Sequence, residues 1–109
     1  MILIDVPKEN DSVSRVTLAG KEYNIRFTYN VSTDRWYFSI LDLNLNPLIG
    51  MVKIVPLHHL RWQYVSTDLP DGFFGCWTEL DKVGKKDFKN GNAVFGFIAN
   101  EELEGYGIP

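Results

Sequence analysis

Apolar and polar residues alternate most regularly along the segment 22–30. Successive side chains of a β-strand point to opposite faces, so strict alternation predicts a strand with one buried and one solvated face. The tripeptide Ala19-Gly20-Lys21 precedes this segment, and glycine supplies the positive φ that a tight turn requires. Residues 13–30 are therefore predicted to form a hairpin. The buried face of its second strand is predicted to carry Tyr23, Ile25, Phe27 and Tyr29.

Further segments have the composition of strands, and turn residues separate them. Trp36, Phe38 and Ile40 share one face of a strand predicted over residues 35–41. The run 44–47 predicts a turn, since Asn accepts left-handed backbone angles and Pro cannot donate to a ladder. The segment after this turn is apolar almost throughout, which favours a strand covered on both faces. Including that one, the remaining predicted strands are residues 48–55, 73–79 and 93–99.

The other segments have less regular patterns. Residues 56–64 fit neither a period of two nor a helical period throughout, and we predict a single helical turn there that leads into a strand at 62–65. Leu69-Pro70-Asp71-Gly72 predicts a turn because Pro fixes φ and Asp-Gly favours a turn. The polar segment 80–92 predicts a loop. The acidic segment 100–109 is expected to be a loosely held tail.

The number and spacing of these segments predict the fold class. Roughly seven short strands at spacings of about ten residues, without a long amphipathic helix, are typical of small sandwiches and barrels. We therefore predict an all-β fold, either a small antiparallel β-sandwich or a partly open β-barrel, with at most one short helix. The chain has 109 residues, the size of one domain. Residues 1–109 are thus predicted to form a single β domain that ends in the acidic tail.

Charge narrows the possible partners. The chain carries 14 acidic and 11 basic residues, a formal net charge of −3. Its densest basic group, Lys82 to Lys89, is interleaved with Asp81 and Asp87. Nucleic-acid binding depends mainly on clustered Lys and Arg, so no specific nucleic acid is expected as a partner.

Hydropathy and cysteine content bear on the compartment. No apolar run approaches the roughly 20 residues that span a bilayer, and the first residues lack the basic start of a signal peptide. Cys76 is the single cysteine and cannot form an internal disulfide, which favours a reducing compartment. We expect a soluble protein, made in the cytosol, with no membrane partner.

Candidate catalytic and metal-binding residues are few. His58 and His59 are adjacent, and neighbouring side chains of a strand point to opposite faces, so both cannot ligate one ion from a strand. Cys76 has no obvious basic neighbour that would lower its pKa, so a buried thiol is favoured over a nucleophile. The carboxylates fall mostly in predicted turns or the tail, without the pairing that acid–base catalysis needs. We therefore predict no catalytic, cofactor-binding or metal site, and a protein that is not an enzyme.

The aromatic content is high. Three Trp, five Tyr and seven Phe exceed the usual needs of a small core, and alternation or a loop position sends Tyr37 outward together with several residues of the segment 56–75. Exposed aromatic side chains contact other proteins or stack on sugar rings, whereas a thick aromatic core is the structural alternative. The candidate protein interface consists of Leu57, Trp62, Tyr64, Phe73 and Phe74.

The strand segments, taken in order, resemble a known family. The relevant segments are Val16-Thr17-Leu18-Ala19-Gly20-Lys21-Glu22-Tyr23, Arg35-Trp36-Tyr37-Phe38-Ser39-Ile40-Leu41-Asp42, Pro47-Leu48-Ile49-Gly50 and Val52-Lys53-Ile54-Val55-Pro56. Together with an Ile-rich first strand that ends in Pro, they are similar to the baseplate plug proteins of contractile-tailed bacteriophages, over essentially the whole chain. The turn at 69–72 also fits this family, whereas residues 57–63 and the charged loop 81–89 depart from it.

The resemblance implies a role and a place. It implies a non-enzymatic virion protein at the centre of the tail baseplate, assembled in the host cytoplasm. Its implied partners are other baseplate, hub and tail-tube proteins, together with further copies of itself. The alternative that the residues leave open is a carbohydrate-binding or adhesin module, in which Trp62, Tyr64 and Trp77 would stack on sugars.

The absence of a complete ligand set in the sequence generates a first prediction. Addition of a chelator, or replacement of His58, His59 or Cys76 by Ala, is not expected to abolish folding, because no metal contributes to it. Elemental analysis and thermal melts with and without chelator check this. Stoichiometric metal that is lost together with the structure would contradict it.

Overall fold

The computed structural model of the chain describes residues 1–56, 60–61, 69–70 and 72–99. All regular structure in these residues is β, and this part contains no helix that could cross a membrane. The strands are β1 (Ile2–Ile4), β2 (Asp11–Leu18), β3 (Lys21–Asn30), β4 (Arg35–Leu41), β5 (Pro47–Lys53), β6 (Leu60–Arg61), β7 (Gly72–Thr78) and β8 (Ala93–Ala99).

The strands form two antiparallel sheets that pack face to face. Strands β2 to β5 follow one another as a meander in the order β2-β3-β4-β5, here called the meander sheet. The other sheet has the order β1-β8-β7-β6 and is called the terminal sheet, because β1 pairs with the last strand, β8. The predicted all-β class is confirmed, and of the two architectures proposed the structure is a sandwich of two separate sheets.

The predicted hairpin is confirmed. Strands β2 and β3 pair without interruption from Asp11 opposite Thr28 to Leu18 opposite Lys21. The two residues between them, Ala19 and Gly20, have φ of 51° and 80°. Two successive positive φ angles belong to the type I′ turn, whose twist matches that of the strands it joins.

Aromatic rings join the two sheets in the core. Phe38 of the meander sheet lies with its ring centroid 4.9 Å from that of Phe74 and 5.1 Å from that of Phe95, both on the terminal sheet. Phe27 meets Phe95 edge to face at 5.4 Å, and Phe97 lies 5.1 Å from Phe74. Ring pairs at these separations stabilise a core beyond the area that they bury.

The predicted strand over residues 48–55 is the element whose environment was wrongly predicted. Strand β5 lies at the edge of the meander sheet, and none of its residues is fully buried; Met51 is 56% exposed. Register shifts against β4 indicate bulges, and the inward residues Leu48, Ile49 and Val52 pack against the core. A bulge breaks strict alternation, so an apolar run here does not require two covered faces.

The predicted turn before β5 is confirmed, with a different residue in the left-handed conformation. Leu45, rather than an Asn, has a φ of 66°. The carboxylate of Asp42 holds the turn because it accepts hydrogen bonds from the backbone N–H of Asn44 at 2.9 Å and of Asn46 at 2.8 Å. These bonds, that from Asn46 first, lower the pKa of Asp42.

The other boundaries agree with the sequence to within a residue where they are described. Strands β4 and β8 have the predicted bounds, and β7 begins and ends one residue earlier than predicted. The predicted strand at 62–65 and the acidic tail 100–109 lie outside the described residues, as does most of the predicted helical turn in 56–64. Leu60 and Arg61 of that segment form strand β6 instead, because they pair with β7, so the helical turn is wrong for these two residues.

Truncation of Phe74 should test the aromatic core. Phe74→Ala removes a ring that is 1% exposed and is expected to lower the free energy of unfolding by about 3–5 kcal/mol, because a cavity remains between the sheets. Urea denaturation measures this loss. Met51→Ala on the exposed face of β5 is the control, with an expected change within about 0.5 kcal/mol. Equal losses in the two variants would contradict the proposed core.

Candidate protein interface

The outer face of the terminal sheet is apolar. Cross-strand pairs place Leu3 opposite Gly96, Phe73 opposite Ile98, Trp77 opposite Val94 and Gly75 opposite Gly96. Their neighbours along the strands, such as Phe74, Phe95 and Phe97, point into the core, so these residues share the outer side. The apolar face is defined by Leu3, Phe73, Trp77, Val94 and Ile98.

Gly96 allows the indole of Trp77 to lie across this face. A Cβ atom added to Gly96 would lie 3.1 Å from Cζ3 of Trp77 and 3.0 Å from the carbonyl oxygen of Ile2. Both distances are shorter than ordinary van der Waals contact. The half-buried Trp77 ring therefore lies directly over the backbone of β8, a position that a larger residue at 96 would obstruct.

Exposure varies from one end of the apolar face to the other. Leu3 is 62% exposed and Val94 is 37% exposed, whereas Phe73 and Ile98 are buried within the chain. The end of the face near β1 is thus accessible to a partner. Accessible apolar groups on a regular strand surface, without a charged side chain among them, are typical of a contact surface.

The predicted interface residues separate into three groups. Leu57, Trp62 and Tyr64 lie outside the described residues. Phe73 belongs to the apolar face but is buried. Phe74 points into the core, so its predicted outward placement is wrong. Adjacent residues of a strand point to opposite faces, so Phe74 points to the same, inward side as Cys76 two residues later.

The aromatic residues of the carbohydrate-binding alternative are also only partly described. Trp62 and Tyr64 lie outside the described residues, and the Trp77 ring lies over Gly96 on the apolar face.

The loop 79–92 closes one end of the sandwich, and the sequence pattern did not reveal how it is attached. The indole N–H of Trp36 donates to the carbonyl oxygen of Gly84 at 3.0 Å. Lys85 donates to the carbonyl oxygen of Lys8 at 2.9 Å and to the side chain of Asn10. The indole N–H of a buried Trp normally has a hydrogen-bond partner, so a buried Trp36 could have indicated from the sequence that some other segment bonds to it.

Lys85 is also held by aromatic rings. Its ammonium nitrogen lies 5.1 Å from the ring centroid of Tyr29 and 5.6 Å from that of Trp36. Cation–π contacts of this geometry are favourable. Lys85 is therefore held in place by these contacts rather than freely solvated.

The carboxylates at this end are engaged in local bonds. Asp34 accepts a hydrogen bond from the hydroxyl of Tyr29 and forms an ion pair with Lys82 at 3.1 Å, and these contacts lower its pKa. Asp87 accepts from the backbone N–H of Gly84 at 2.6 Å. A lowered pKa keeps the Asp34 carboxylate charged, which suits a structural contact better than a general acid.

The single cysteine lies between the sheets. Cys76 is 1% exposed, so the predicted burial is confirmed, and this burial raises the pKa of its thiol to about 11. A cavity of about 30 Å³ beside Phe38 and Cys76 has room for little more than a water molecule. Among the described residues, no three His, Cys, Asp or Glu side chains stand close enough to hold a metal ion.

Comparison with known protein families places the chain in one of them. A family model described as the cyanophage Pam3 baseplate plug gp18 matches residues 1–101, a range that contains all eight strands. No curated protein matches the chain significantly. The family match confirms the resemblance that the strand segments indicated.

The environment of Cys76 predicts a protected thiol. A rise of the pKa from 9.0 to about 11 lowers the thiolate fraction about a hundredfold near neutral pH. Alkylation of the native protein is therefore expected to be at least about a hundredfold slower than alkylation of the urea-unfolded protein, since only the thiolate reacts. Mass spectrometry of timed iodoacetamide reactions measures the rates. Similar rates in both states would show that the thiol is accessible.

Proposed function

The chain belongs to the phage baseplate plug family, and on that premise we propose that it is a non-enzymatic structural protein of the tail baseplate. It docks on neighbouring baseplate, hub or tail-tube proteins after synthesis in the host cytoplasm. The observation that carries this proposal is the family match over residues 1–101, which covers the complete sandwich rather than a single motif.

The apolar face supplies a docking surface for that role. Centres of protein interfaces are depleted in charged residues and enriched in aromatic ones. Leu3 and Val94 are accessible, and the half-buried Trp77 lies on the same face, opposite Val94. A partner with its own apolar patch would bury this end of the face, so we propose that Leu3 and Val94 lie at the docking contact.

The residues predicted from the sequence extend this proposal. Phe73 lies at the other end of the apolar face, and the candidate interface in the sequence also includes Leu57, Trp62 and Tyr64. We keep Leu57, Trp62 and Tyr64 as proposed interface residues. The buried Phe73 and Phe74 contribute by supporting the sheet from which the docking surface is built.

The net charge is compatible with the proposed position. A formal charge of −3 gives the protein no overall attraction to a polyanion. A plug close to the path of the genome would then repel passing DNA rather than retain it.

Incorporation into virions tests the function and the surface together. Leu3→Asp places a charge on the apolar face, and Leu43→Asp makes the same change in the β4–β5 turn, where Leu43 is 49% exposed. Each variant is supplied to phage that lacks the wild-type gene, and its copy number in purified virions is measured by quantitative mass spectrometry. We expect Leu3→Asp to reduce incorporation at least about tenfold. Loss of an interface anchor commonly costs about 2 kcal/mol or more of binding free energy, and about 1.4 kcal/mol corresponds to a tenfold change in affinity. Leu43→Asp should be incorporated normally.

The possible outcomes distinguish failure of the proposed function from failure of the proposed docking surface. Absence of the wild-type protein from purified virions would reject the baseplate function. Presence of the wild type, with equal incorporation of two folded variants, would reject the apolar face as the docking surface. Thermal melts of the isolated variants establish that both are folded.

A further inference from the structure

Strand β2 is a long edge strand without interruption. It lies at the rim of the meander sheet and pairs with β3 on one side over eight residues, with no register shift and no Pro or Gly. The other described edges are interrupted or short: β5 contains Pro47 and two register shifts, β1 has three residues and β6 has two. A long regular edge is a template for a further strand.

The backbone groups of β2 that face away from β3 can be identified. Asn10 accepts a hydrogen bond from the N–H of Tyr29 at 2.7 Å, and the register continues directly into β2. In an antiparallel pair, residues alternate between those that bond to the partner strand and those that do not. Even-numbered residues therefore bond to β3. Asp11, Val13, Arg15 and Thr17 direct their N–H and C=O groups outward.

The side chains of β2 add a charge pattern to this edge. On the outer surface, Asp11 and Arg15 flank Val13, which is 49% exposed. Asp11 is fixed by Arg26 of β3, whose Nε and terminal nitrogen donate to its two carboxylate oxygens at 2.8 and 2.7 Å. Arg15 has no ion pair with any residue in the described part of the chain.

We propose that two copies of this chain associate through β2, antiparallel and about a two-fold axis at Val13. In this register, Asp11 lies opposite Arg15 of the partner subunit, and Val13 lies opposite Val13 of the partner subunit. Asp11, Val13 and Arg15 are residues whose backbone N–H and C=O groups point outward. These groups can therefore bond to the partner strand, and the hydrogen-bond ladder continues across the interface. The two meander sheets become one eight-stranded sheet, within the usual range of sheet sizes.

Charge complementarity selects this register. A two-fold axis at Asp11 or at Arg15 would place identical charges directly opposite each other, which is unfavourable. An axis at Ser14 would pair neither charge with its opposite. An axis at Ser12 would place Arg15 opposite position 9, a Glu that precedes the strand, and would leave Asp11 opposite Val13. The axis at Val13 forms the Asp–Arg pair twice. Each Asp11 carboxylate then lies between Arg26 of its own chain and Arg15 of the partner subunit, and a carboxylate can accept from both.

An unsatisfied hydroxyl supports the same register. Ser12 faces the core side of β2, and its Oγ atom is buried without a hydrogen-bond partner among the described residues. Two-fold pairing at Val13 places Ser12 opposite Ser14 of the partner subunit, in the closer type of antiparallel pair. Hydroxyl pairs across strands form hydrogen bonds, so association offers Ser12 a partner.

Sedimentation equilibrium from low micromolar to near-millimolar concentration tests the association. The wild type is expected to form dimers. Arg15→Glu should weaken the dimer about tenfold or more, because two attractive cross-strand pairs become repulsive. Lys53→Glu, at the exposed end of the opposite edge strand β5, makes the same charge change and should leave the dimer unaltered.

Disulfide crosslinking tests the register. In the proposed dimer, residue 13 faces its own copy at a Cα separation of about 5.5 Å, within reach of a disulfide. Residue 17 is separated from its own copy by about 27 Å, the length of eight strand residues. Val13→Cys should therefore form a covalent dimer under mild oxidation, and Thr17→Cys should not. Cys76 is buried and contributes little background.

Three results would overturn the proposal: a wild type that stays monomeric at the highest concentration, a dimer unaffected by Arg15→Glu, or crosslinking at residue 17 instead of residue 13. A monomer that binds an extended segment of another protein at β2 would assign the edge to a different partner. Virion incorporation does not enter this test, so its outcome is independent of the proposed baseplate function.

Discussion

The contact between Phe38 and the rings of Phe74 and Phe95 is the interaction on which the rest of the structure depends. It joins the two sheets at centroid separations of 4.9 and 5.1 Å. The core cluster between the sheets contains most of the buried apolar residues in the described part of the chain. The aromatic content that stood out in the sequence is explained largely by this core, with Trp36 and Phe27 extending it.

Because the interior stabilises the fold, the outer surfaces are available for contacts. The terminal sheet presents accessible Leu3 and Val94, and the meander sheet presents the regular edge of β2. These surfaces belong to different sheets and differ in chemistry: one is apolar, and the other offers backbone groups with alternating charges. A protein with two such surfaces can contact different neighbours at the same time, which is what a component of a larger assembly requires.

Local patterns predicted the parts of the fold that depend on neighbouring residues. The β2–β3 hairpin follows from alternation around Tyr23, Ile25 and Phe27, and from Gly20 in its turn. Sheet order could not be predicted, since the edge position of β5 depends on which strands meet in space. The sequence did not show that Phe74 points inward, because Phe73 beside it is equally apolar. Which of the two faces the core depends on how β7 pairs with β8. The bond from Trp36 to Gly84 joins residues 48 apart, beyond any local pattern.

Cryo-electron microscopy of intact tails, at a resolution that shows side chains, tests the central claim most directly. The account predicts density for this sandwich within the baseplate, with Leu3 and Val94 against a neighbouring protein. A fully interpreted baseplate without this chain would contradict the assignment. The chain in place with its apolar face toward solvent would contradict the proposed mode of docking.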